Sequence, residues 1–276
     1  MGGTHVPHKR MAFCSNSPLK PEPVMKRVEI TAPGVVSWVD HPKPEAGPKD
    51  VLLKIKACGI CGSDSLYTDH GGIPPYQGCT PLGHEPAGEV AEIGAGIESP
   101  DVEVGDHVVV DTMVFQDGLL GSGGAQGALS IPWHIAALNE PMAVALHAVN
   151  RTSPKPGCKV VVFGAGPIGL GAVLGYRRKG ASHIVVVDVV NARLEKALKV
   201  GADAVVNSAE AEDLAAKLVE LQGDGATAQN RGTRPGTDIF LDAAGAPPVP
   251  AQVCKMAKRG ATFGIVIAPH KVPVTC

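Results

Sequence analysis

Lys159-Val160-Val161-Val162-Phe163-Gly164-Ala165-Gly166-Pro167-Ile168-Gly169-Leu170-Gly171-Ala172-Val173 is the stretch that decides the fold. Its apolar, β-branched opening reads as a buried strand. The Gly-x-Gly-x-x-Gly that follows closes into a turn and opens a helix with a proline in its first turn. Gly164 supplies the tight turn, Gly166 lets backbone approach a pyrophosphate, and Gly169 lets the helix pack closely on the strand, with Pro167 and Ile168 between them. The helix N-terminus offers free N–H groups and the positive end of its dipole to the phosphates. Val185-Val186-Val187-Asp188 ends the next strand, 24 residues after Gly164. A carboxylate there accepts from both hydroxyls of an adenosine ribose and repels a 2′-phosphate, which favours NAD over NADP. Arg193 lies near enough to matter, with a solvated helix position as its other reading.

Working outward, strands and helices alternate through the second half. Strands are expected at 159–163, 183–187, 203–206, 237–242 and 261–267, with helices near 167–179, 192–200, 210–221 and 248–258. That βαβαβ order is the pattern of a doubly wound parallel sheet. Gln222 to Gly236, rich in Gly, Asn and Arg, reads as a surface loop. Asn139-Glu140-Pro141 combines an N-cap residue with an early proline and starts an apolar helix through Val149. The first half has a different texture. A strand-like run opens at Met25, and further strand patterns fall at 51–57, 88–93 and 107–111, separated by Gly- and Pro-rich turns. Val51, Leu53, Ile55 and Ala57 lie on mostly one side of a period-2 pattern. A compact, mainly β, barrel-like domain is expected at 25–138, followed by the α/β domain at 139–276. Residues 1–24, polar and Pro-rich without period, read as a disordered extension.

Two domains suit a chain of 276 residues. Its 25 basic and 27 acidic side chains form no long run of one sign. Nucleic acid and membrane surfaces therefore have no electrostatic support as partners. No apolar stretch approaches a membrane span, and the N-terminus lacks a secretory pattern, so a cytoplasmic setting is expected. Seven cysteines are too few for a disulfide framework and fit a reducing compartment.

Cys58-Gly59-Ile60-Cys61-Gly62-Ser63-Asp64 precedes Gly83-His84-Glu85. A lone Cys-x-x-Cys suits a redox pair or half of a structural zinc site. A structural site needs a second close pair, which no later spacing provides. The redox reading expects a helix start within a βαβ unit, whereas this motif sits in the β-rich half. A thiolate, an imidazole and a carboxylate suit a catalytic zinc with one open position.

The stretches KACGICGSD, PLGHEPAGEVAEIGAGI, VGDHVVV, NEPMAVALHAV and VVVFGAGPIGLGAV, in that order, resemble the zinc branch of the medium-chain dehydrogenase/reductase superfamily. The resemblance runs from about Met25 to Ile267 and is nearest to the polyol and diol branch. It implies a GroES-like β-barrel catalytic domain joined to a Rossmann sheet. It also implies Cys61 and His84 as zinc ligands, with Glu85 or Glu140 as the unsettled third. For Glu140 an ordinary first-turn acid, favoured by the helix dipole, is the alternative. Asp64 resembles the carboxylate that orients the ligand histidine, and Ser63 the hydroxyl that takes the substrate's proton. Tyr67 matches a pocket aromatic of that branch. Leu66 stands where relatives often carry a relay histidine, with His70 close by.

The implied activity is oxidation of a secondary alcohol, diol or polyol, with hydride passing to NAD. A second reading is a shortened relative that binds NAD or zinc without turnover. A zinc-free reductase is disfavoured by the Cys61/His84 pair. With no cysteine between Cys79 and Cys158, the four-cysteine lobe is absent and one catalytic zinc per chain is expected. The join after Ser130 reads as an internal deletion, and the end at Cys276 as a sheet lacking its last strand. Both are expected to leave apolar surface and a strand edge uncovered. A homo-oligomer is compatible with the resemblance.

Overall fold

The computed structural model describes residues 24–73, 80–98, 101–110, 131–225 and 232–267. Internal contacts divide the chain into Met1–Glu140 and Pro141–Cys276. The join after Ser130, the end at Cys276 and residues Cys14 and Cys79 all lie outside the described residues.

The first unit holds two three-stranded antiparallel sheets. In one, β1 (Val24–Ala32) lies between β2 (Val35–Pro42) and the short β4 (Thr80–Pro81). In the other, β5 (Glu85–Ile93) lies between β3 (Val51–Gly59) and β6 (His107–Val109). Val90, Val102 and Val108 form the buried centre of the second sheet, with Val51, Leu53 and Ile93 packed against them. The period-2 reading of β3 fails at Ile55, which is 52% exposed. The β3–β5 register shifts between Ile55 and Ala57, and such a bulge turns the side chains of one stretch to the other face.

Two helices belong with these strands, and a third starts at the boundary and runs into the second unit. After Cys61 comes α1 (Gly62–His70), then α2 (Trp133–Ala136) and α3 (Asn139–Arg151). Trp133 stacks on His107 with ring centroids 4.0 Å apart, and Ala136 and Ala137 pack on Ala87 and Val109. His107 is thus a packing residue, while His147 is exposed on α3.

The second unit is a five-stranded parallel sheet in the order β11-β10-β7-β8-β9. Its strands are β7 (Lys159–Phe163), β8 (His183–Asp188), β9 (Ala204–Asn207), β10 (Ile239–Asp242) and β11 (Thr262–Ile265). Between them run α4 (Pro167–Arg178), α5 (Asn191–Val200), α6 (Leu214–Gln222) and α7 (Val249–Met256). Strand alternation divides the apolar side chains between two cores. Val160, Val162, Ile184, Val186 and Leu241 meet Val149, Ala172, Tyr176 and Leu194 on one face. Val161, Phe163, Val185, Val187 and Phe240 meet Leu218, Val249 and Val253 on the other. Helix α6 begins later than its apolar pattern suggests because Asp213 caps it, accepting from the Ala216 N–H at 3.0 Å. The chain runs outward from β7 to β9 and then returns to β10, so the topological switch point lies between β7 and β10. Ligands of such sheets bind at that point, beyond the carboxyl ends of the strands.

Candidate active site

The metal-type cluster grows from one end of the β3–β5 pair. Gly59 pairs with Glu85 across the two strands, which brings the end of Cys58-Gly59-Ile60-Cys61 beside Gly83-His84-Glu85. Cys61 then caps α1, so the redox argument from location needs correction: the motif does stand at a helix start, but between antiparallel strands. A cap position places the sulfur by the helix's positive end, which favours thiolate.

The ligand atoms of Cys61, His84 and Glu85 all lie within 4.8 Å of one another. Asp64 faces both of the first two residues. One of its oxygens accepts from the Cys61 N–H at 2.9 Å, and the other lies 3.4 Å from His84 Nδ1. His84 Nε2 is thereby left for a cation, with Ser63 Oγ 3.5 Å away. The Cys61 thiolate, against burial and with help from Asp64 and Glu140, pushes His84 up to about 9. The His84 contact, opposed by burial and aided by Ser63, holds Cys61 below the ordinary thiol value. A divalent cation binding both residues would compete with protons at this pair. Glu85 and Glu140 are both pushed up by burial, with His84 opposing. Glu140 feels the charges of His84 and Glu85 but is not one of the clustered three. A soft thiolate, an imidazole and a carboxylate around one point are a donor set that fits zinc.

Gly59 is a residue that the sequence reading passed over. A Cβ there would overlap Glu85 Oε2 and lie 3.0 Å from Cδ and 3.1 Å from Cβ. The space that admits the buried carboxylate is therefore the side chain Gly59 lacks. Helix α1 was also missed, because it has no apolar stripe and buries only Asp64. Its visible signals were Asp64 three residues after Cys61 and Gly71 after His70, the latter in the left-handed region with φ 75°. Tyr67 is half-buried on α1. His70 Nδ1 bonds the Leu66 carbonyl at 2.8 Å, which ties that ring to its own helix.

In the second unit the glycine turn joins β7 to α4. Gly164 has φ 96°, and a Cβ on it would lie 2.9 Å from the Ala243 carbonyl and the Ala244 nitrogen. At Gly169 a Cβ would overlap the Gly164 carbonyl oxygen. At Gly166, the N-cap of α4, a Cβ would meet nothing within 4 Å. Two glycines thus serve close packing and the third faces open space, a cradle that fits a pyrophosphate. Pro167 opens α4, with Ile168 half-buried beside it. Asp188 Oδ2 accepts from the Ala165 N–H at 2.7 Å, while Oδ1 accepts from Val189 and Val190 at 2.8 and 2.9 Å. Three of its roughly four acceptor positions are occupied, so one on Oδ2 remains for a hydroxyl. Arg193 is exposed on the first turn of α5.

Residues 47–138 match the family described as alcohol dehydrogenase GroES-like domain, and residues 167–274 match that described as zinc-binding dehydrogenase. The chain is 34% identical to a protein named probable D-xylulose reductase A from Aspergillus clavatus, over 83% of this chain and 71% of that one. Sorbitol dehydrogenase of Bacillus subtilis is 31% identical with the same coverage. The crystal structure of 2R,3R-butanediol dehydrogenase from Bacillus subtilis superposes with a TM-score of 0.72 at 28% identity, covering 90% of this chain and 78% of that one. The chain belongs to the zinc-dependent medium-chain dehydrogenase superfamily. Zinc and a nicotinamide cofactor are therefore its chemistry, and a small-molecule alcohol its kind of substrate. Among the described residues of this dehydrogenase, no helix is long and apolar enough to cross a membrane.

Proposed function

We propose that this dehydrogenase oxidises a secondary alcohol, diol or polyol to the carbonyl, with NAD as hydride acceptor. The observation that carries this reading is the Cys61, His84 and Glu85 cluster within 4.8 Å, with Asp64 accepting from the Cys61 N–H and lying 3.4 Å from His84 Nδ1. Residues 25–138 are assigned to the catalytic domain and 139–276 to the cofactor domain. Cys61, His84 and Glu85 hold one zinc, and Glu140 lends negative charge nearby. Zinc, when bound, supplies a Lewis acid that makes an alcohol proton easier to remove. Nicotinamide supplies the hydride acceptor.

The chain's own residues do the rest. Asp64 fixes the His84 ring by its Nδ1 side and fixes Cys61 through its backbone. Ser63, whose hydroxyl lies by His84 Nε2, takes the substrate's proton. Gly164, Gly166, Pro167, Ile168 and Gly169 receive the pyrophosphate. Asp188, with its free Oδ2 position, receives the ribose and selects NAD over NADP, with Arg193 at the rim. The balanced charge and the resemblance to polyol dehydrogenases favour a cytoplasmic enzyme acting on small molecules, assembled as a homo-oligomer and without nucleic-acid or membrane partners.

The test is NADH formation, followed by absorbance, over a panel of sorbitol, xylitol and 2,3-butanediol, with zinc measured per chain. One zinc and turnover on at least one of these, faster with NAD than NADP, is the expected result. Bound zinc and bound NAD without turnover on any of these or other secondary alcohols would establish the non-enzymatic alternative instead.

A further inference from the structure

Asp242 ends β10, one strand from the glycine turn, and is fully buried. Its Oδ1 accepts from the Ala244 N–H at 3.0 Å and from the Gly245 N–H at 2.9 Å. Its Oδ2, equally buried, has no hydrogen-bond partner. An acid in that condition destabilises the fold that contains it, so packing alone does not account for it. The turn that Asp242 holds does lead to a ligand site. Ala243 donates to the Phe163 carbonyl at 2.8 Å, and the Ala243–Ala244 peptide lies where a Cβ on Gly164 would be. On its other side, Gly164 donates to the Val187 carbonyl at 2.8 Å. The cofactor turn is therefore clamped between the end of β8 and the peptide that Asp242 fixes, at the topological switch point. Gly245, with φ 63°, completes that turn, and a Cβ there would lie 2.5 Å from Ile267 Cγ2.

We propose that Asp242 is a positioning residue for the nicotinamide dinucleotide: by fixing the Ala243–Gly245 turn it provides the rigid wall behind Gly164, and so sets the backbone that receives the pyrophosphate. The role rests on the reading of Gly164–Gly169 as the cofactor cradle. Burial, only partly offset by the two backbone N–H groups, pushes the carboxyl up, in keeping with a group kept for its acceptor oxygen and not for its charge.

The test uses the full chain with zinc bound and compares Asp242→Ala, Asp242→Asn and Gly245→Ala. Asp242→Ala loses both accepted bonds and is expected to weaken NADH binding by about tenfold or more, with kcat at saturating NAD and zinc content close to native. Asp242→Asn keeps an acceptor at the same place and is expected to bind within about threefold of wild type. Gly245→Ala disturbs the same turn with Asp242 intact and is expected to weaken NADH binding as well, which serves if Asp242→Ala does not fold. Without cofactor, amide exchange at Gly164 and Ala165 is expected to quicken in Asp242→Ala or Gly245→Ala. A folded Asp242→Ala with native NADH affinity and native exchange overturns the role. So does an Asp242→Asn as weak as Asp242→Ala, or a folded Gly245→Ala that binds natively. A wild-type chain that binds no nicotinamide dinucleotide overturns the functional reading, while the exchange data still decide whether Asp242 holds the turn.

Discussion

Replacing Gly59 by alanine perturbs the metal cluster without removing any of its proposed ligands. The added Cβ would overlap Glu85 Oε2 and press on Cδ at 3.0 Å and Cβ at 3.1 Å. Carbon atoms settle at about 3.5–4.0 Å, so the carboxylate must retreat by on the order of 1 Å. A zinc–carboxylate bond of about 2.0–2.2 Å tolerates roughly 0.2 Å, so the ligand is lost or reaches the ion only through water. Zinc affinity is then expected to fall by at least about 10–100-fold, or ~1.4–2.8 kcal/mol, with about 1–3 kcal/mol of overpacking in the metal-free fold. Gly62→Ala, in the same motif, is the internal control, because a Cβ there meets nothing within 4 Å. It should leave zinc binding unchanged and, as a helix position, gain up to about 1 kcal/mol. Competition against a chromogenic chelator gives the affinities, and urea unfolding of the stripped chain gives the stabilities. A double-mutant cycle with Glu85→Ala completes the test: if Gly59 acts through Glu85, Gly59→Ala should weaken zinc little further in that background. Native zinc affinity in a folded Gly59→Ala would refute the reasoning, as would an undiminished effect once Glu85 is gone.

The glycine turn gives a second contrast. Gly166→Ala should fold within about 1 kcal/mol of wild type yet lose NADH affinity by about tenfold, because its open space serves the ligand. Gly169→Ala should unfold about 1–3 kcal/mol more easily even without cofactor, because its Cβ would strike the Gly164 carbonyl; chemical denaturation and fluorescence titration separate the two. At Asp203 burial opposes ionisation, but the Arg177 guanidinium and the Ile184 N–H at 2.6 Å hold the carboxyl below its usual range. A depressed carboxyl contributes stability above its unfolded value and loses it as pH falls through the folded one. Asp203→Asn should therefore unfold about 1 kcal/mol more easily at pH 7, the gap narrowing below about pH 4; urea titrations across that range check it. Removing zinc should make Cys61 alkylate about tenfold faster at pH 7.5, because His84 and Ser63 favour its thiolate, and restoring zinc should protect it; peptide mass mapping reads the rate.

How far the sequence disclosed the molecule follows from how local each determinant is. The second unit was legible strand by strand because β-branched runs, Gly-capped helices and the glycine turn carry their signals within a few residues of each other. The β-rich unit was less so. A bulge at Ile55–Ala57 depends on the partner strand, so period-2 counting placed Ile55 on the wrong face. Helix α1 carries no apolar stripe, since it is held by Cys61, Asp64 and Gly71 at its ends. The choice between Glu85 and Glu140 could not be made from spacing. That Glu85 lies beside Cys61 and His84 follows from its pairing with Gly59, a contact between residues 26 positions apart, and its choice as third ligand is our proposal. Asp242 was invisible for the same reason. Nothing in Leu-Asp-Ala-Ala-Gly tells that its carboxylate holds a peptide lying against Gly164.

Buried acids join these observations. Among the described residues the buried acidic side chains are Glu29, Asp64, Glu85 and Asp242. Each removes a carboxylate from water, which is unfavourable unless something opposes it. Glu29 has its answer on its own strand, where Arg27 pairs with it, and needs no ligand. Asp64 directs one oxygen to the Cys61 N–H and the other to His84, so its burial is explained only by the two residues that it fixes. Glu85 fills the space left by Gly59 and faces the Cys61 sulfur and the His84 ring, two anionic donors and one imidazole that a cation between them would hold together. Asp242 fixes the peptide behind Gly164 and leaves an oxygen unsatisfied. Of the last three, Glu85 is the acid whose burial a cation would offset directly, while Asp64 and Asp242 hold neighbouring backbone and side chains in place whether or not a ligand is bound. Loading should consequently stabilise each unit separately: zinc should slow amide exchange around Gly59 and Glu85, and dinucleotide should slow it around Gly164 and Gly245, each without requiring the other.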